Sequence, residues 1–141
     1  MKGIIVKPLR KIPDERGSVC HMLRADDPDF KQFGEIYFST VYPGVIKGWH
    51  KHTKMELNYC CIKGMIKLVV FDGRNFEEYY LGDKNYCLVK VRPEIWNAFQ
   101  GLGTEEAIVA NCASIPHDPN EIIRKGVKEI VYDWKNFTYG W

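Results

Sequence analysis

Hydrophobic and polar residues alternate with a period of two along most of this chain, and short polar turns interrupt the alternation. Such alternation is typical of β-strands that bury one face. The stretches predicted as strands are residues 4–6, 18–23, 35–42, 45–52, 57–62, 65–71, 78–81, 86–91, 97–100 and 107–114. Residues 26–30 are predicted to form one helical turn, and residues 120–125 a short helix.

About ten short strands separated by frequent turns predict an all-β fold, either a β-sandwich or a barrel. With 141 residues, of which 45% are hydrophobic, the chain can bury one core, so residues 1–141 are predicted to form a single domain. Both architectures protect the strand edges and leave a mouth in which a ligand can bind.

The charge distribution excludes several classes of partner. The formal net charge is +2 and no run of Lys or Arg exceeds two residues, so no nucleic acid is expected to bind. No stretch approaches the roughly 20 apolar residues that span a bilayer, and no membrane association is predicted. The N-terminus turns polar too early for a secretory signal. The five cysteines show no C-x-x-C spacing, which is typical of buried thiols in a reducing compartment. A cytoplasmic location is therefore expected.

One segment concentrates the candidate chemistry. His50 and His52 lie two residues apart, and a carboxylate follows four residues later at Glu56. On a strand, side chains two residues apart point to the same face, so both imidazoles are predicted to share one pocket. The arrangement suits a metal centre, a general base, or both. If a divalent metal binds, its ligands are expected to be His50, His52 and Glu56.

The spacing of this segment resembles a known motif. Gly44, His50, His52, Glu56 and Gly64 match the first motif of the cupin superfamily, G-x5-H-x-H-x3-E followed by a later Gly. The second cupin motif is half present at residues 93–99, where Asn97 or Ala98 occupies the place of the cupin histidine. The resemblance implies a cupin-type β-barrel, also called a double-stranded β-helix, with jelly-roll topology.

A narrower resemblance covers residues 4–133. Residues 14–17, 33–39 and 43–50 are similar to the D-x-R-G, F-x-Q-x-N-x-S and G-V-x-R-G-L-H motifs of the dTDP-4-dehydrorhamnose 3,5-epimerase family. Residues 93–99 match the P-x-G-x-A-H-G-F motif of that family loosely. The family is a cupin branch that works without metal, so the resemblance implies that no cofactor is needed.

The resemblance also implies residue roles. His50 takes the position of the general base, which removes the proton beside the 4-keto group of a nucleotide-linked sugar. Lys47 replaces an Arg that holds the sugar or diphosphate, and Glu35 replaces a Gln on the nucleotide side. Arg16 matches an arginine that reaches the diphosphate in the partner subunit's site, because these proteins are homodimers with exchanged N-terminal strands. The family's general acid is a late-strand Tyr, and residues 113–115 contain no Tyr.

The chemistry of a keto sugar agrees with these roles. A keto group acidifies the adjacent C–H, and a neutral imidazole with a pKa near 6.5 can accept that proton. Reprotonation from the opposite face inverts the carbon. Candidate groups to stabilise the enolate oxygen are Lys47, Asn97 and Asn58. His52 shares a face with His50 and Trp96 can stack on a sugar, so both are predicted to bind substrate.

The prediction is therefore an isomerase that epimerises or isomerises a 4-keto-deoxysugar nucleotide for deoxysugar or cell-surface polysaccharide biosynthesis. Two alternatives stay open. One is a metal-dependent cupin enzyme that uses His50, His52 and Glu56. The other is a non-catalytic cupin that binds a sugar, which the missing acid favours.

Overall fold

The structure is a computed structural model that describes residues 1–137, so residues 138–141 of the predicted domain lie outside the described part. Its strands, in chain order, are β1 (Ile4–Pro8), β2 (Lys11–Asp14), β3 (Gly17–Cys20), β4 (Glu35–Val41), β5 (Ile46–His52), β6 (Leu57–Lys63), β7 (Met65–Phe71), β8 (Phe76–Gly82), β9 (Cys87–Val91), β10 (Trp96–Leu102), β11 (Ala107–Ala113) and β12 (Ile122–Arg124). A 3₁₀ turn follows at Val127–Glu129. Within residues 1–137, no helix is long and apolar enough to cross a membrane.

The strands form two five-stranded sheets and a hairpin. The first sheet has the order β1-β9-β6-β11-β4, the second has the order β12-β5-β10-β7-β8, and β2 pairs only with β3. Inner-face side chains such as Leu57 and Val89 of the first sheet meet Leu68 and Phe99 of the second sheet in the main core. Two antiparallel sheets packed face to face bury alternate residues of every strand. The predicted all-β, cupin-type architecture is confirmed.

Strand β5 carries the candidate site, and its path is set by a bulge. The register between β5 and β10 shifts so that Asn97 lies opposite His50 and Ala98 lies opposite Gly48. Trp49 is therefore the extra residue, and its side chain is fully buried. A Cβ at position 48 would overlap the side chain of Ala98, so the close approach of the two strands requires glycine there.

The predicted strands are all present, with shifted ends. Both predicted helical segments are wrong. Residues 120–125 do not form a helix, because β12 adds to the edge of β5 through the pairs Ile122 with His52 and Arg124 with His50. Residues 26–30 form hydrogen-bonded turns rather than a helical turn. Strand β2 was not predicted, since its four residues include Pro13 and are exposed throughout.

The segment after β12 covers the outer face of the second sheet. Trp134 packs against Trp49 with 5.7 Å between the ring centroids. Lys67 projects from β7 into this cover, is fully buried, and donates a 2.6 Å hydrogen bond to the carbonyl oxygen of Asn136. Its ammonium group also lies 5.0 Å from the ring centroid of Tyr132. These contacts close a second apolar cluster behind β5.

Four of the five cysteines are small buried hydrophobes, as the sequence predicts. All five are free thiols, and Cys20 is the exposed one. Burial raises the pKa of Cys60 to about 11 and that of Cys61 to about 12, so these thiols stay protonated at neutral pH.

Candidate active site

A cavity of about 670 Å³ lies between the two sheets. Its walls come from β4 and β6 on one side and from β5, β10 and β12 on the other. The lining side chains that can carry chemistry are Glu35, Tyr37, Lys47, His50, His52, Tyr59, His117 and Arg124. The volume falls within the roughly 300–1,000 Å³ that is common for small-molecule sites. The cavity is therefore the candidate active site.

His50 lies in this cavity as a neutral imidazole. Burial and the positive charge of Arg124 lower its pKa to about 4, with smaller contributions from His52 and Lys47. The guanidinium Nη1 of Arg124 lies 3.0 Å from Nε2 of His50. Because an arginine only donates hydrogen bonds, Nε2 is the acceptor and Nδ1 carries the ring proton. At neutral pH the ring is in the deprotonated state that a general base needs.

His52 shares the cavity, as the period of two predicts, but has a different environment. Its Nδ1 hydrogen-bonds to the carboxylate of Glu121, and both side chains are buried. The other oxygen of Glu121 accepts the amide N–H groups of Thr53, Lys54 and Met55 at 3.1–3.2 Å. Burial raises the pKa of Glu121, but the hydrogen bonds from His52 and the backbone outweigh it, and the net pKa is lowered. The anchored carboxylate fixes the ring of His52 and leaves Nε2 as its free nitrogen.

Two phenols lie on the wall opposite the histidines, and the sequence analysis named neither as the general acid. The Tyr37 hydroxyl oxygen accepts a 2.8 Å hydrogen bond from the Asn111 side chain, so its own proton remains available. The Tyr59 hydroxyl instead donates to Oδ1 of Asn97 at 2.9 Å. Burial raises the pKa of both tyrosines and keeps them protonated. The sequence contained a signal for Tyr37: it lies two residues after Glu35 on β4, so the two side chains point to the same face.

Lys47, Glu35 and His117 complete the polar lining. The exposed Lys47 ammonium donates a 3.0 Å hydrogen bond to the carbonyl oxygen of Thr40. Glu35 accepts the backbone N–H of His117 at 2.9 Å, so one carboxylate ties β4 to the segment before β12. The structure places both Lys47 and Glu35 in the cavity, as substrate-binding roles require.

Other predicted residues are not part of the lining. Asn97 is buried and donates a 3.2 Å hydrogen bond to the backbone oxygen of His50, while its Oδ1 accepts from Tyr59. Asn97 can orient the strand that carries His50, but it does not line the cavity and so does not contact an enolate oxygen. Asn58 is likewise buried and donates to the carbonyl oxygen of Cys112, because it lies on the outer face of β6.

Trp96 and Arg16 are also absent from the lining. Trp96 faces away from the cavity, and the ammonium groups of Lys51 and Lys125 lie 5.2 and 5.1 Å from its ring centroid. Arg16 lies in the exposed β2–β3 hairpin and pairs with Asp14 at 2.7 Å. Within one subunit, neither can contact a ligand of the cavity.

The predicted metal-ligand set is not brought together. Strand β5 ends at His52, and the turn that follows takes Glu56 out of the strand face. Glu56 is buried beside Lys90, with 3.4 Å between Oε1 and Nζ. Among residues 1–137, no three His, Cys, Asp or Glu side chains are grouped closely enough to hold a metal ion.

Comparison with known proteins defines the family. A model described as "FdtA: WxcM-like, C-terminal" matches residues 2–131. The chain belongs to this family. The probable low-salt glycan biosynthesis epimerase Agl13 of Haloferax volcanii is 26% identical over 148 residues, which cover 96% of this chain and 91% of the relative.

Solved structures show the same relationship. A dTDP sugar isomerase from Desulfovibrio desulfuricans G20 is 38% identical and has a TM-score of 0.90, with 96% of this chain and 93% of that chain covered. The sugar 3,4-ketoisomerase QdtA of Thermoanaerobacterium thermosaccharolyticum, solved in complex with TDP, has a TM-score of 0.78. At 19% identity, with 89% of this chain and 90% of that chain covered, QdtA shows the fold alone.

The family membership supports the coarser part of the resemblance drawn from the motifs. Relatives of this chain carry the names of a sugar epimerase and a sugar isomerase, and the solved isomerase shares its fold. Membership in the narrower dTDP-4-dehydrorhamnose 3,5-epimerase family is not confirmed and stays a prediction.

Proposed function

We propose that this protein is an isomerase of 4-keto-deoxysugar nucleotides, in which His50 removes the proton on the carbon next to the keto group. The observation that carries the proposal is the placement of a neutral imidazole and a protonated phenol on facing walls of one cavity. The names of the family's relatives support the same substrate class and polysaccharide biosynthesis as its setting.

The facing wall supplies the acid that the motifs did not. Tyr37 lies on β4 of the first sheet, whereas His50 lies on β5 of the second sheet. A sugar ring held between the sheets would present one face to the base and the other to the phenol. Proton removal by His50 followed by proton donation from Tyr37 would invert the carbon. If the carbon that loses its proton carries a hydroxyl group, return of that proton by the base to the former keto carbon, together with transfer of the hydroxyl proton to the former carbonyl oxygen, would instead move the carbonyl group.

The polar mouth fits the nucleotide end of such a substrate. Lys47 and Arg124 are both exposed and both line the cavity. Two cations suit a diphosphate, whose oxygens accept charge-assisted hydrogen bonds. The dTDP sugar isomerase and the TDP complex of QdtA support a nucleoside diphosphate as the carrier.

The hairpin supports a homodimer as the functional unit. Every residue of β2 and β3 is exposed, including Val19, of which 60% is accessible. A two-stranded hairpin with no cover is marginally stable in water, so it needs a partner surface. The outer face of β4 offers one, with Ile36 54% and Phe38 61% exposed. Arg16 of the hairpin would then reach the partner's cavity.

Solvent exchange tests the proposed chemistry. The protein is incubated in deuterated water with dTDP-4-keto-6-deoxyglucose, and the sugar is followed by ¹H NMR. Deuterium is expected to enter next to the keto group, and the rate is expected to fall by about 10²–10⁴-fold in His50→Asn. His21→Asn, a histidine outside the cavity, serves as the control and should exchange at the wild-type rate.

The product distinguishes the possible reactions. A changed coupling pattern at one carbon identifies epimerisation, and a shifted carbonyl carbon identifies ketoisomerisation. Tight binding without any deuterium incorporation would contradict the proposal and favour a non-catalytic sugar-binding role.

A further inference from the structure

We propose that Arg124 gates the catalytic base: it caps Nε2 of His50 until the diphosphate of an entering nucleotide-linked sugar draws the guanidinium away. The inference deepens the proposed function, on which the identity of the base and the substrate class rest. It assigns a role to a residue that neither the motifs nor the family resemblance singled out.

The cap follows from the hydrogen-bond inventory of the two side chains. Nη1 of Arg124 lies 3.0 Å from Nε2 of His50 and donates to it, because a guanidinium has no acceptor. In a neutral imidazole only one nitrogen has a free lone pair. That lone pair is here engaged by a permanent cation. As long as this contact lasts, His50 has no basic atom with which to take a proton from a sugar.

The position of Arg124 allows it to leave. It lies on β12, a strand of three residues at the edge of the second sheet, and its side chain is exposed. Within residues 1–137, its hydrogen bond to His50 is the one interaction that holds the guanidinium. A neutral imidazole is a weak partner for a group that forms strong bidentate bonds to anions. An anion at the mouth would therefore compete well.

The surroundings identify the anion as the diphosphate. Lys47 lines the same cavity and is exposed like Arg124, so two cations flank the entrance. Phosphoryl oxygens match the planar fork of an arginine, and charge-assisted hydrogen bonds are roughly twice as strong as neutral ones. Binding of the carrier would thus expose the base only when a substrate is in place.

The proposal predicts how His50 titrates. Loss of the nearby positive charge raises a histidine pKa, because the protonated ring is no longer repelled. The other titratable or charged groups around the ring are Lys47 and His52 on β5, Glu35 and Tyr37 on β4, Tyr59 on β6 and His117 before β12. These groups are the same in the wild-type protein and in Arg124→Gln, so the difference between the two proteins reports on Arg124.

The experiment is an NMR titration of the isotope-labelled histidines, without turnover. The pKa of His50 is measured in the wild-type protein, in Arg124→Gln and in Lys51→Gln, each with and without saturating TDP. TDP is expected to raise the pKa in the wild-type protein by more than in Arg124→Gln, whose pKa is already raised without TDP. The affinity for TDP is expected to fall about tenfold or more in Arg124→Gln.

The matched control uses a cation outside the cavity. Lys51 is on the same strand as His50 but pairs with Glu94 and lies over Trp96. Lys51→Gln should keep the wild-type pKa of His50 and the wild-type affinity. Arg124→Lys retains the charge without the fork and should bind TDP with intermediate affinity. Circular dichroism melts show whether each variant is folded.

Three results would overturn the gate: no rise of the His50 pKa with TDP, equal affinities of wild type and Arg124→Gln, or no TDP binding at millimolar concentration. The NMR titration tests the gate independently of the solvent-exchange experiment, which tests the reaction. A pKa rise together with absent solvent exchange leaves the gate intact and rejects the proposed isomerase activity. Solvent exchange without the pKa rise does the opposite.

Discussion

At the scale of single residues, the two histidines of β5 point to the same face of the strand, but their partners carry opposite charges. A cation caps the ring of His50, whereas a buried carboxylate supports the ring of His52. Burial and the first partner keep the imidazole of His50 neutral, and the second partner holds the ring of His52 in a fixed orientation. Under the proposed function, His50 would act as the base, and His52 would be an oriented hydrogen-bond donor or acceptor to the sugar.

The Glu121 carboxylate is expected to stabilise the fold as well as the site. Glu121→Gln removes the charge that accepts hydrogen bonds from His52 and three backbone amides, so the free energy of unfolding should fall by about 2–4 kcal/mol. Urea denaturation measures the difference, and Glu105→Gln, in an exposed loop, should change little.

The difference should depend on pH in a defined direction. The folded-state pKa of Glu121 lies below the ordinary value of 4.5, so its stabilisation is complete above that value. It is lost as the pH falls through the lowered pKa. The gap between wild type and Glu121→Gln should therefore be constant near neutrality and narrow below about pH 4.5. A gap that widens in acid would contradict this assignment.

The two tyrosines of the cavity should separate into one acid and one structural group. Tyr37→Phe is expected to lower turnover by about 10²–10⁴-fold, because its free proton serves the facing side of the sugar. Exchange of the substrate proton with solvent should persist, since His50 is unchanged. In Tyr59→Phe, turnover should fall less, while the free energy of unfolding should drop by about 1 kcal/mol for the lost hydrogen bond to Asn97.

At the scale of elements, the sequence predicted ten of the twelve strands within residues 1–137, because apolar residues recur in them with a period of about two between turn residues. The same period correctly placed His50 and His52 together. The prediction that Glu56 joins the two histidines failed because the period of two holds only within one strand, and β5 ends at His52. The short β12 was mistaken for a helix because its three residues pair at long range with β5 rather than with chain neighbours. Glu121 and Arg124 were missed for the same reason, as no local pattern reports a partner some 70 residues away.

The bulge in β5 provides a test of how that strand is held. Gly48→Ala places a methyl group against the side chain of Ala98, and overpacking of this kind typically costs about 1–3 kcal/mol. Chemical denaturation should show that loss in the single variant. The double variant Gly48→Ala with Ala98→Gly removes the facing methyl group and should recover part of it. If the changes in the free energy of unfolding of the two single variants simply add in the double variant, the two positions do not clash.

At the scale of the whole molecule, the exposed apolar residues are not scattered evenly. Val19 of the hairpin and Ile36 and Phe38 of β4 are among the most accessible hydrophobic side chains. A monomer would leave this surface in water, which favours a stable contact with a second copy. Arg16, which has no role within its own subunit's cavity, would gain one in such a dimer.

Exchange of hairpins predicts complementation between two inactive variants. His50→Asn lacks the base but has an intact hairpin, and Arg16→Gln has the base but a defective hairpin. If each hairpin completes the partner's site, mixed dimers hold one intact site, and random reassociation should restore about a quarter of the wild-type activity. Light scattering checks the dimer, and an unmixed sample of each variant is the control. No recovery in proven mixed dimers would place Arg16 outside the partner's site.

The short edge strand has an evolutionary consequence. Residues 121–124 supply the partner of each histidine, the carboxylate of Glu121 and the guanidinium of Arg124, from a ribbon held to the barrel by one neighbour. Mutations or insertions in these few positions would change the surroundings of both imidazoles at once, with a loss of stability where Glu121 is replaced. Relatives that differ in reaction are therefore expected to have diverged first along this ribbon, which makes it the natural segment to exchange between them.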